Sequence, residues 1–200
     1  MAAKEIRSLP VHELYSRWGA GYDQGRVNNM QGLDDTEMET LFPKFLSLLP
    51  LSDKPSALAL KVIDFGCGTG RNTLKLVSTL PGADIVGLDA TPALLEVAKR
   101  RCNEARAALP ENQRPRGLSF HKYNPLEGGQ GGPPPATARQ AHGLISNLVV
   151  EHLPLPAFFK MCCEYIAPGG CVLVTSTHED LARRAARSSG ATAIFTPTRL

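Results

Sequence analysis

Three glycines at alternate positions form the most informative chemical pattern in this sequence. They lie in the segment Val62-Ile63-Asp64-Phe65-Gly66-Cys67-Gly68-Thr69-Gly70-Arg71-Asn72, where a short apolar run is followed by a helical pattern. Glycines at this spacing allow a tight turn and a close approach of the backbone to a ligand. The spacing differs from the dinucleotide fingerprint G-x-G-x-x-G, and no Gly-Lys-Ser/Thr ending marks a triphosphate-binding loop.

Two acidic residues accompany this turn. Asp64 ends the first apolar run, and Asp89 ends the next one, 25 residues later. A carboxylate beside the turn repels a pyrophosphate and attracts an ammonium group, with on the order of 4 kcal/mol for a charge pair at ~4 Å before desolvation. A carboxylate at the end of the second strand accepts both hydroxyls of a ribose. An acid for an ammonium, glycines for close approach and an acid for a ribose together match S-adenosylmethionine.

An alternation of strand and helix patterns has to position these residues. We predict strands at 59–65, 84–88, 118–122, 143–146 and 172–176, with helices at 73–80, 92–108 and 157–166. Near-continuous apolar strands between helices indicate a parallel sheet that is covered on both faces. The predicted fold class is therefore α/β, an open, doubly wound and mostly parallel sheet.

The regions around this sheet have their own patterns. Residues 1–55 are predicted to form a helical lid, with an amphipathic helix at 11–18 and a second at 34–49 that Pro43 splits or kinks. Residues 56–200 form the second predicted domain, which contains a flexible loop at 125–138 that is rich in glycine and proline.

Four segments resemble the motifs of class I S-adenosylmethionine-dependent methyltransferases, in the group with small-molecule methyltransferase domains. They are VIDFGCGTG, IVGLDATPALLEVAKRR, GLISNLVVEHLPL and IAPGGCVLVTSTHED, and the resemblance covers roughly residues 58–180. It implies a Rossmann-like fold, S-adenosyl-L-methionine as cofactor and methyl transfer to a small-molecule acceptor, such as a natural-product intermediate.

The resemblance also implies a set of cofactor-binding residues: Tyr15, Tyr22, Asp64, Gly66, Cys67, Gly68, Gly70, Asp89, Ala90, Asn124, Ser146, Asn147 and Leu148. Tyr15 and Tyr22 belong to a stretch that resembles the W-x-x-x-Y-D lid of the family; packing of these aromatic rings on the core is the alternative. Asn124 stands where the family often has an aspartate that binds the adenine amine, and its carbonyl oxygen can accept the same bond.

His152 is the predicted catalytic residue. Displacement at a sulfonium methyl needs an aligned nucleophile, and a general base only where the acceptor must lose a proton. Glu151 and His152 follow the fourth strand at the edge where ligands bind in open α/β folds. His152 is thus a base or a substrate-orienting group, and the alternative is that both residues begin a surface segment before Pro154.

Composition sets further limits. The net charge of +3 is too small to indicate a nucleic-acid partner, no apolar run is long enough to span a membrane, and the N-terminus has no apolar signal region. The five cysteines lack zinc-ligand spacing, so no metal site is predicted. We expect them to be buried thiols in a reducing cytoplasm. Redox activity of the vicinal pair Cys162-Cys163 is the alternative.

Only 24 residues follow position 176, with one predicted strand at 191–195. We expect an incomplete sheet edge and an exposed fifth strand, and therefore lower stability, a homodimer formed through that edge, or lost activity. The alternative function is a cofactor-binding but inactive relative that serves as a binding or regulatory module. A nicotinamide oxidoreductase is disfavoured by Arg71 and Asp64.

Overall fold

A six-stranded sheet forms the centre of the protein. The structure, a computed structural model, describes residues 29–50, 60–126, 135–176 and 192–195. The strands are β1 (Lys61–Phe65), β2 (Asp84–Asp89), β3 (Gly117–Lys122), β4 (Ala141–Asn147), β5 (Ile166–Thr175) and β6 (Thr192–Phe195). Their order is β3-β2-β1-β4-β5-β6, with the first five parallel and β6 antiparallel to β5. The predicted fold class is confirmed.

Four α-helices accompany the sheet in the described residues. They are α1 (Asn29–Leu48), α2 (Arg71–Thr79), α3 (Pro92–Ala108) and α4 (Leu155–Tyr165), and short 3₁₀ turns lie in the connections at Glu111–Gln113, Ala136–Ala138 and Val150–His152. The predicted helices agree with these bounds to within a few residues, except that α1 begins earlier and continues through the exposed Pro43. The predicted helix at 11–18, together with Tyr15 and Tyr22, lies outside the described residues.

Both faces of the sheet are covered, because successive strand side chains point in opposite directions. Val62 of β1 lies in one buried cluster with Phe45 of α1 and Leu76 of α2. Its neighbour Ile63 lies in the other cluster, which includes Phe158 of α4. The α1–α2–α3 layer and α4 therefore hold the sheet between them. None of the helices in the described ranges is long and apolar enough to cross a membrane.

The fifth strand differs from its prediction in length and pairing. It begins at Ile166 rather than at residue 172, so Pro168-Gly169-Gly170 lie inside the strand, beside a register irregularity with β4. The prediction that β5 is an exposed edge is wrong, because β6 pairs with Val172–Thr175 over four residues. Pairing of a second copy at a sheet edge stays a prediction. On this side of the sheet, β6 is the strand to which the second copy would pair.

The glycine- and proline-rich loop also differs at one end. Residues 127–134 lie outside the described part of the chain, but Ala136–Ala138 forms a 3₁₀ turn and Ala138 is fully buried. The loop predicted to extend through residue 138 therefore ends earlier, since this alanine packs into the cluster on the α4 side of the sheet.

Four of the five cysteines follow the predicted buried environment, and the prediction is wrong for Cys163. Cys67, Cys102, Cys162 and Cys171 are buried thiols, whereas Cys163 is exposed. Burial raises the pKa of both Cys102 and Cys162 to about 12. These two thiols are therefore protonated and unreactive at neutral pH.

Candidate active site

A cavity of about 320 Å³ opens where β1, β2 and β4 end. The sheet order reverses between β1 and β4, which is where open α/β folds bind ligands. The volume lies near the lower end of the range for small-molecule sites, roughly 300–1,000 Å³. The lining residues are Phe65, Gly66, Cys67, Gly68, Thr69, Arg71, Asn72, Asp89, Ala90, Thr91, Leu94, Tyr123, Asn124, Pro125, Leu126, Asn147, Leu148, Val149, His152 and Leu153.

Nine of the predicted site residues share this cavity: Gly66, Cys67, Gly68, Asp89, Ala90, Asn124, Asn147, Leu148 and His152. Asp64, Gly70 and Ser146 are not among the lining residues. Gly70 packs against α3, where a side-chain Cβ would lie 3.0 Å from the Cys102 sulfur. Ser146 is fully buried, and its hydroxyl has no hydrogen-bond partner within the part of the chain that the structure describes. These three residues adjoin lining residues in sequence but do not line the cavity themselves.

The backbone amides of the glycine turn are occupied by acceptors within the protein. The N–H groups of Gly66 and Cys67 both donate to the carbonyl oxygen of Leu88, at 2.7 and 2.9 Å. The N–H of Gly68 donates to Asp89 at 2.8 Å, and that of Gly70 donates to the Cys67 carbonyl at 2.8 Å. A phosphate-binding loop directs such amides at its ligand. This turn is therefore not arranged as a phosphate cradle.

Space beside the turn remains available for a ligand. Gly68 has φ +52°, and a Cβ added there would meet no atom within 4 Å. Gly66 has φ +73°, but an added Cβ would lie 2.2 Å from a methyl group of Val149. The open side at Gly68 and the close packing at Gly66 fit a turn that supports the elongated amino-acid part of a cofactor.

Asp89 connects the two halves of the site. One carboxylate oxygen accepts from the Gly68 N–H at 2.8 Å, and the other accepts from the Thr91 N–H at 2.7 Å. Burial raises the pKa of Asp89, while these backbone bonds oppose the rise. The Thr91 side chain donates a third bond, and a carboxylate has about four lone-pair sites, so one remains for a ligand. Asp89 therefore fixes the glycine turn to the end of β2 and can still accept a ribose hydroxyl.

The structure corrects the role predicted for Asp64. Its side chain is 1% exposed and accepts a hydrogen bond from the Thr73 hydroxyl at 2.5 Å, with a further bond from the Thr73 backbone. The residue before α2 is Gly70, which has no side chain to cap the helix. Asp64 thus satisfies an N-terminal amide of α2 from the neighbouring strand. In this position the carboxylate lies behind the cavity wall, so the structure gives no support to the predicted direct contact between Asp64 and a ligand ammonium.

Asp64 is predicted to make the stability of the protein pH-dependent. Burial raises the pKa of Asp64 from 3.8 to about 6, helped by the charge of Asp89 and opposed by Thr73 and Lys75. Between these values the folded state holds a proton that the unfolded state has lost, so the free energy of unfolding falls as the pH rises from about 4 to about 6. One such group accounts for about 3 kcal/mol.

Urea unfolding of Asp64→Asn across this pH range checks the prediction. We expect most of that fall to disappear in the variant, with a smaller part remaining because the pKa of Asp89 is also raised. Asp84→Asn, at the opposite end of β2 and paired with Arg116, should keep the wild-type pH dependence. An unchanged slope in Asp64→Asn would contradict the assignment.

The end of β4 is fixed against β5. The Asn147 side-chain amide donates to the Thr175 hydroxyl at 2.6 Å, and the Leu148 N–H donates to the Thr175 carbonyl at 3.0 Å. Leu148 has φ +55°, a left-handed conformation that is rare for leucine. Such strain is tolerated where surrounding bonds hold it, and it turns the chain so that residues 147–149 line the cavity.

His152 is the described histidine that reaches the cavity. It ends the 3₁₀ turn Val150–His152 that follows β4. His121 lies near the hydroxyls of Ser119 and Thr137 instead, and the ring of His142 accepts the Lys61 N–H at 3.0 Å. Across the described ranges, no group of three or more His, Cys, Asp or Glu side chains is placed to hold a metal ion.

Several lining residues were not predicted as site residues. Thr91, Tyr123 and Val149 each lie one or two residues beyond a strand end, so the strand boundaries themselves were a usable signal. Leu94 lies in the first turn of α3, and its orientation depends on how that helix packs against the sheet. Tyr123 contacts Phe65 edge to face, with ring centroids 6.3 Å apart, and closes the cavity beside β1.

Comparison with known proteins identifies the family. A family profile described as "Methyltransferase domain" matches residues 62–170, more than half of the chain. The chain belongs to this methyltransferase domain family. An uncharacterized methyltransferase of Emericella nidulans is 38% identical over 88% of the chain. A trans-aconitate 2-methyltransferase of Methylobacterium nodulans is 34% identical over 62% of the chain.

The matches cover only part of these relatives. The chain spans 64% of the first protein's length and 41% of the second's. Among solved structures, the methyltransferase domain of bacterial CtHen1 superposes with a TM-score of 0.54 at 23% identity, covering 77% of this methyltransferase-domain chain and 72% of that one. That likeness confirms the fold.

Proposed function

We propose that this methyltransferase-domain protein binds S-adenosylmethionine and directs its methyl group to a small-molecule acceptor by direct displacement. The observation that carries the proposal is that Asp89 and the glycine turn line one cavity, at the point where the sheet order reverses. The N–H groups of this turn already have acceptors within the protein. The bound cofactor would supply an electrophilic methyl group on a sulfonium.

The electrostatics of the turn favour a ligand with positive charge at this end. Four turn amides already have acceptors, so a phosphate would find few donors there. Asp89 in the wall and Asp64 behind it add negative charge. The preference for a cation therefore rests on two features: the N–H groups of the turn already donate within the protein, and Asp64 and Asp89 both carry negative charge. It does not depend on one contact with Asp64.

The chain's own residues would align the acceptor and exclude water. His152 lies at the cavity beside Val149 and Leu153, so its imidazole has apolar neighbours in the wall. We assign His152 the role of accepting a proton from acceptors whose reacting atom is protonated, with orientation of the acceptor as its second role. The apolar side chains limit the access of water to the reacting groups.

The remaining proposals concern the acceptor and the setting of the protein. Similarity to a protein named trans-aconitate 2-methyltransferase supports a small molecule as acceptor. We further propose a natural-product intermediate as the substrate and the cytoplasm as the location, without nucleic-acid or membrane partners. A second copy pairing at a sheet edge is the proposed protein partner.

Calorimetric titration with S-adenosylhomocysteine tests cofactor binding, with Asp89→Asn as the decisive variant. We expect the wild-type protein to bind and the variant to lose roughly 10- to 100-fold in affinity, because hydrogen bonds to a charged group are worth about 1.5–3 kcal/mol. Asp84→Asn, at the other end of β2, is the matched control and should keep the wild-type affinity. Equal affinities in all three proteins would contradict the ribose assignment.

A methyl-transfer assay over a panel of small acids, phenols, thiols and amines tests the second step. Transfer to any of them supports the proposed activity. Cofactor binding without transfer to any acceptor would support the inactive binding module instead. Binding of NADH without binding of S-adenosylhomocysteine would overturn the proposal.

A further inference from the structure

We propose that Arg71 binds the carboxylate of the cofactor's amino-acid part and that Asp35 positions its guanidinium. This inference rests on the proposed function, because it concerns the same cofactor. Arg71 is the first residue of α2, and it is one of the residues that line the cavity, together with Thr69 and Asn72. It therefore borders the open side of the turn at Gly68, where the amino-acid part is expected.

Charge complementarity selects the carboxylate as the partner of Arg71. The amino-acid end of S-adenosylmethionine carries one carboxylate and one ammonium group. Among the cavity-lining residues that the structure describes, Arg71 is the one lysine or arginine. A guanidinium recognises a carboxylate with paired hydrogen bonds, and its five N–H donors suffice for two carboxylates together.

The second carboxylate is Asp35 of α1, which forms an ion pair with Arg71. Lys75, one turn further along α2, lies 3.8 Å from the same Asp35 oxygen. The Asp35 side chain is 52% exposed, so the pair contributes little to the stability of the fold. Its effect is to hold the long Arg71 side chain in one orientation at the cavity.

Asp35 can hold Arg71 because α1 is itself firmly packed. Met38 and Phe45, on the same helix, are almost completely buried against the sheet. The ion pair spans 36 residues of sequence and connects this helix with the first turn of α2. Helix α1 thereby becomes part of the cofactor site, although none of its residues from Asp35 to Leu48, whose side chains the structure describes, lines the cavity.

A thermodynamic cycle with two ligands tests the assignment by calorimetry. The ligands are S-adenosylhomocysteine and its decarboxylated form, in which hydrogen replaces the carboxylate. For Arg71→Met we expect a roughly 10- to 100-fold higher Kd for the first ligand, the range for hydrogen bonds between charged groups, and an unchanged Kd for the second. Arg71→Lys should fall between, because it keeps the charge without the paired donors.

Lys75→Met is the matched control. It removes the same charge one helical turn further along α2, and Lys75 itself does not line the cavity. It should bind both ligands as the wild type does. Asp35→Asn should weaken binding of S-adenosylhomocysteine alone by roughly two- to tenfold, the cost of ordering one long side chain. The melting temperature should stay close to that of the wild type.

Each other outcome overturns a defined part of the proposal. Equal losses for both ligands in Arg71→Met would show that Arg71 supports the turn rather than the carboxylate. No loss for either ligand would remove Arg71 from the cofactor site. Tighter binding in Asp35→Asn would show that Asp35 competes for Arg71 instead of positioning it. A wild-type protein that binds neither ligand would overturn the proposed function itself.

Discussion

Replacing His152 with glutamine is expected to lower kcat for a hydroxyl acceptor by roughly 100-fold or more, the usual size of a lost general base. Glutamine keeps a polar side chain of similar length but does not take up a proton at neutral pH. Because His152 lies on the turn after β4 and not in the glycine turn, the Kd for S-adenosylhomocysteine should change little. Steady-state kinetics and calorimetry on the same preparations measure both effects.

A thiol acceptor distinguishes a general base from a structural residue. A thiol is already ionised at alkaline pH, so its transfer rate should be nearly the same in His152→Gln and in the wild type. His121→Gln is the control, since this residue lies on β3 near Ser119 and Thr137 and does not line the cavity. Equal losses on hydroxyl and thiol acceptors would show that His152 orients the acceptor without removing its proton.

Gly66→Ala is expected to destabilise the fold by about 2–5 kcal/mol, through two additive causes. The left-handed conformation at φ +73° costs a residue with a Cβ about 1–2 kcal/mol. The new Cβ would also lie 2.2 Å from a Val149 methyl group, and such overpacking costs typically about 1–3 kcal/mol. The resulting shift of the turn should also displace Gly68 from Asp89 and weaken ligand binding.

Gly82→Ala separates the two causes. Gly82 has φ +72°, but an added Cβ there meets no atom within 4 Å, so only the conformational cost of about 1–2 kcal/mol applies. The double variant Gly66→Ala/Val149→Ala removes the clashing methyl group and should recover part of the lost stability. Urea unfolding of the four proteins measures these differences. Equal stability of Gly66→Ala and Gly82→Ala would contradict the close packing against Val149.

The arrangement of elements was predictable because it depends on local patterns. Apolar runs of five to seven residues ending at Phe65, Asp89 and Asn147 define strands, and helical periodicity between them requires parallel connections. Parallel strands bring their carboxyl ends to one edge, so the turn after Phe65, the acid Asp89 and the segment from Asn147 to His152 had to meet. The position of the cavity at this edge of the sheet is therefore predictable from the sequence.

Hydrogen-bond partners were not predictable in the same way. Asp64 was expected to face a ligand, yet Thr73 and the start of α2 take up its carboxylate. Likewise, β5 was expected at the sheet edge, yet β6 covers it. In both cases the sequence pattern places the residue or strand correctly but does not reveal its hydrogen-bonding partner. The partner depends on distances between elements that are remote in sequence.

Sequence patterns alone predict the order of strands and helices, the glycine turn and the position of Asp89 at the carboxyl edge of the sheet. These follow from periodicity and from strand ends, which are local properties of the chain. The acceptors of the turn's amides, Leu88 and Asp89, and the ion pair of Arg71 with Asp35 become apparent only in the folded protein. These polar groups find partners on elements that are remote in sequence, and the packing of those elements brings the partners within reach.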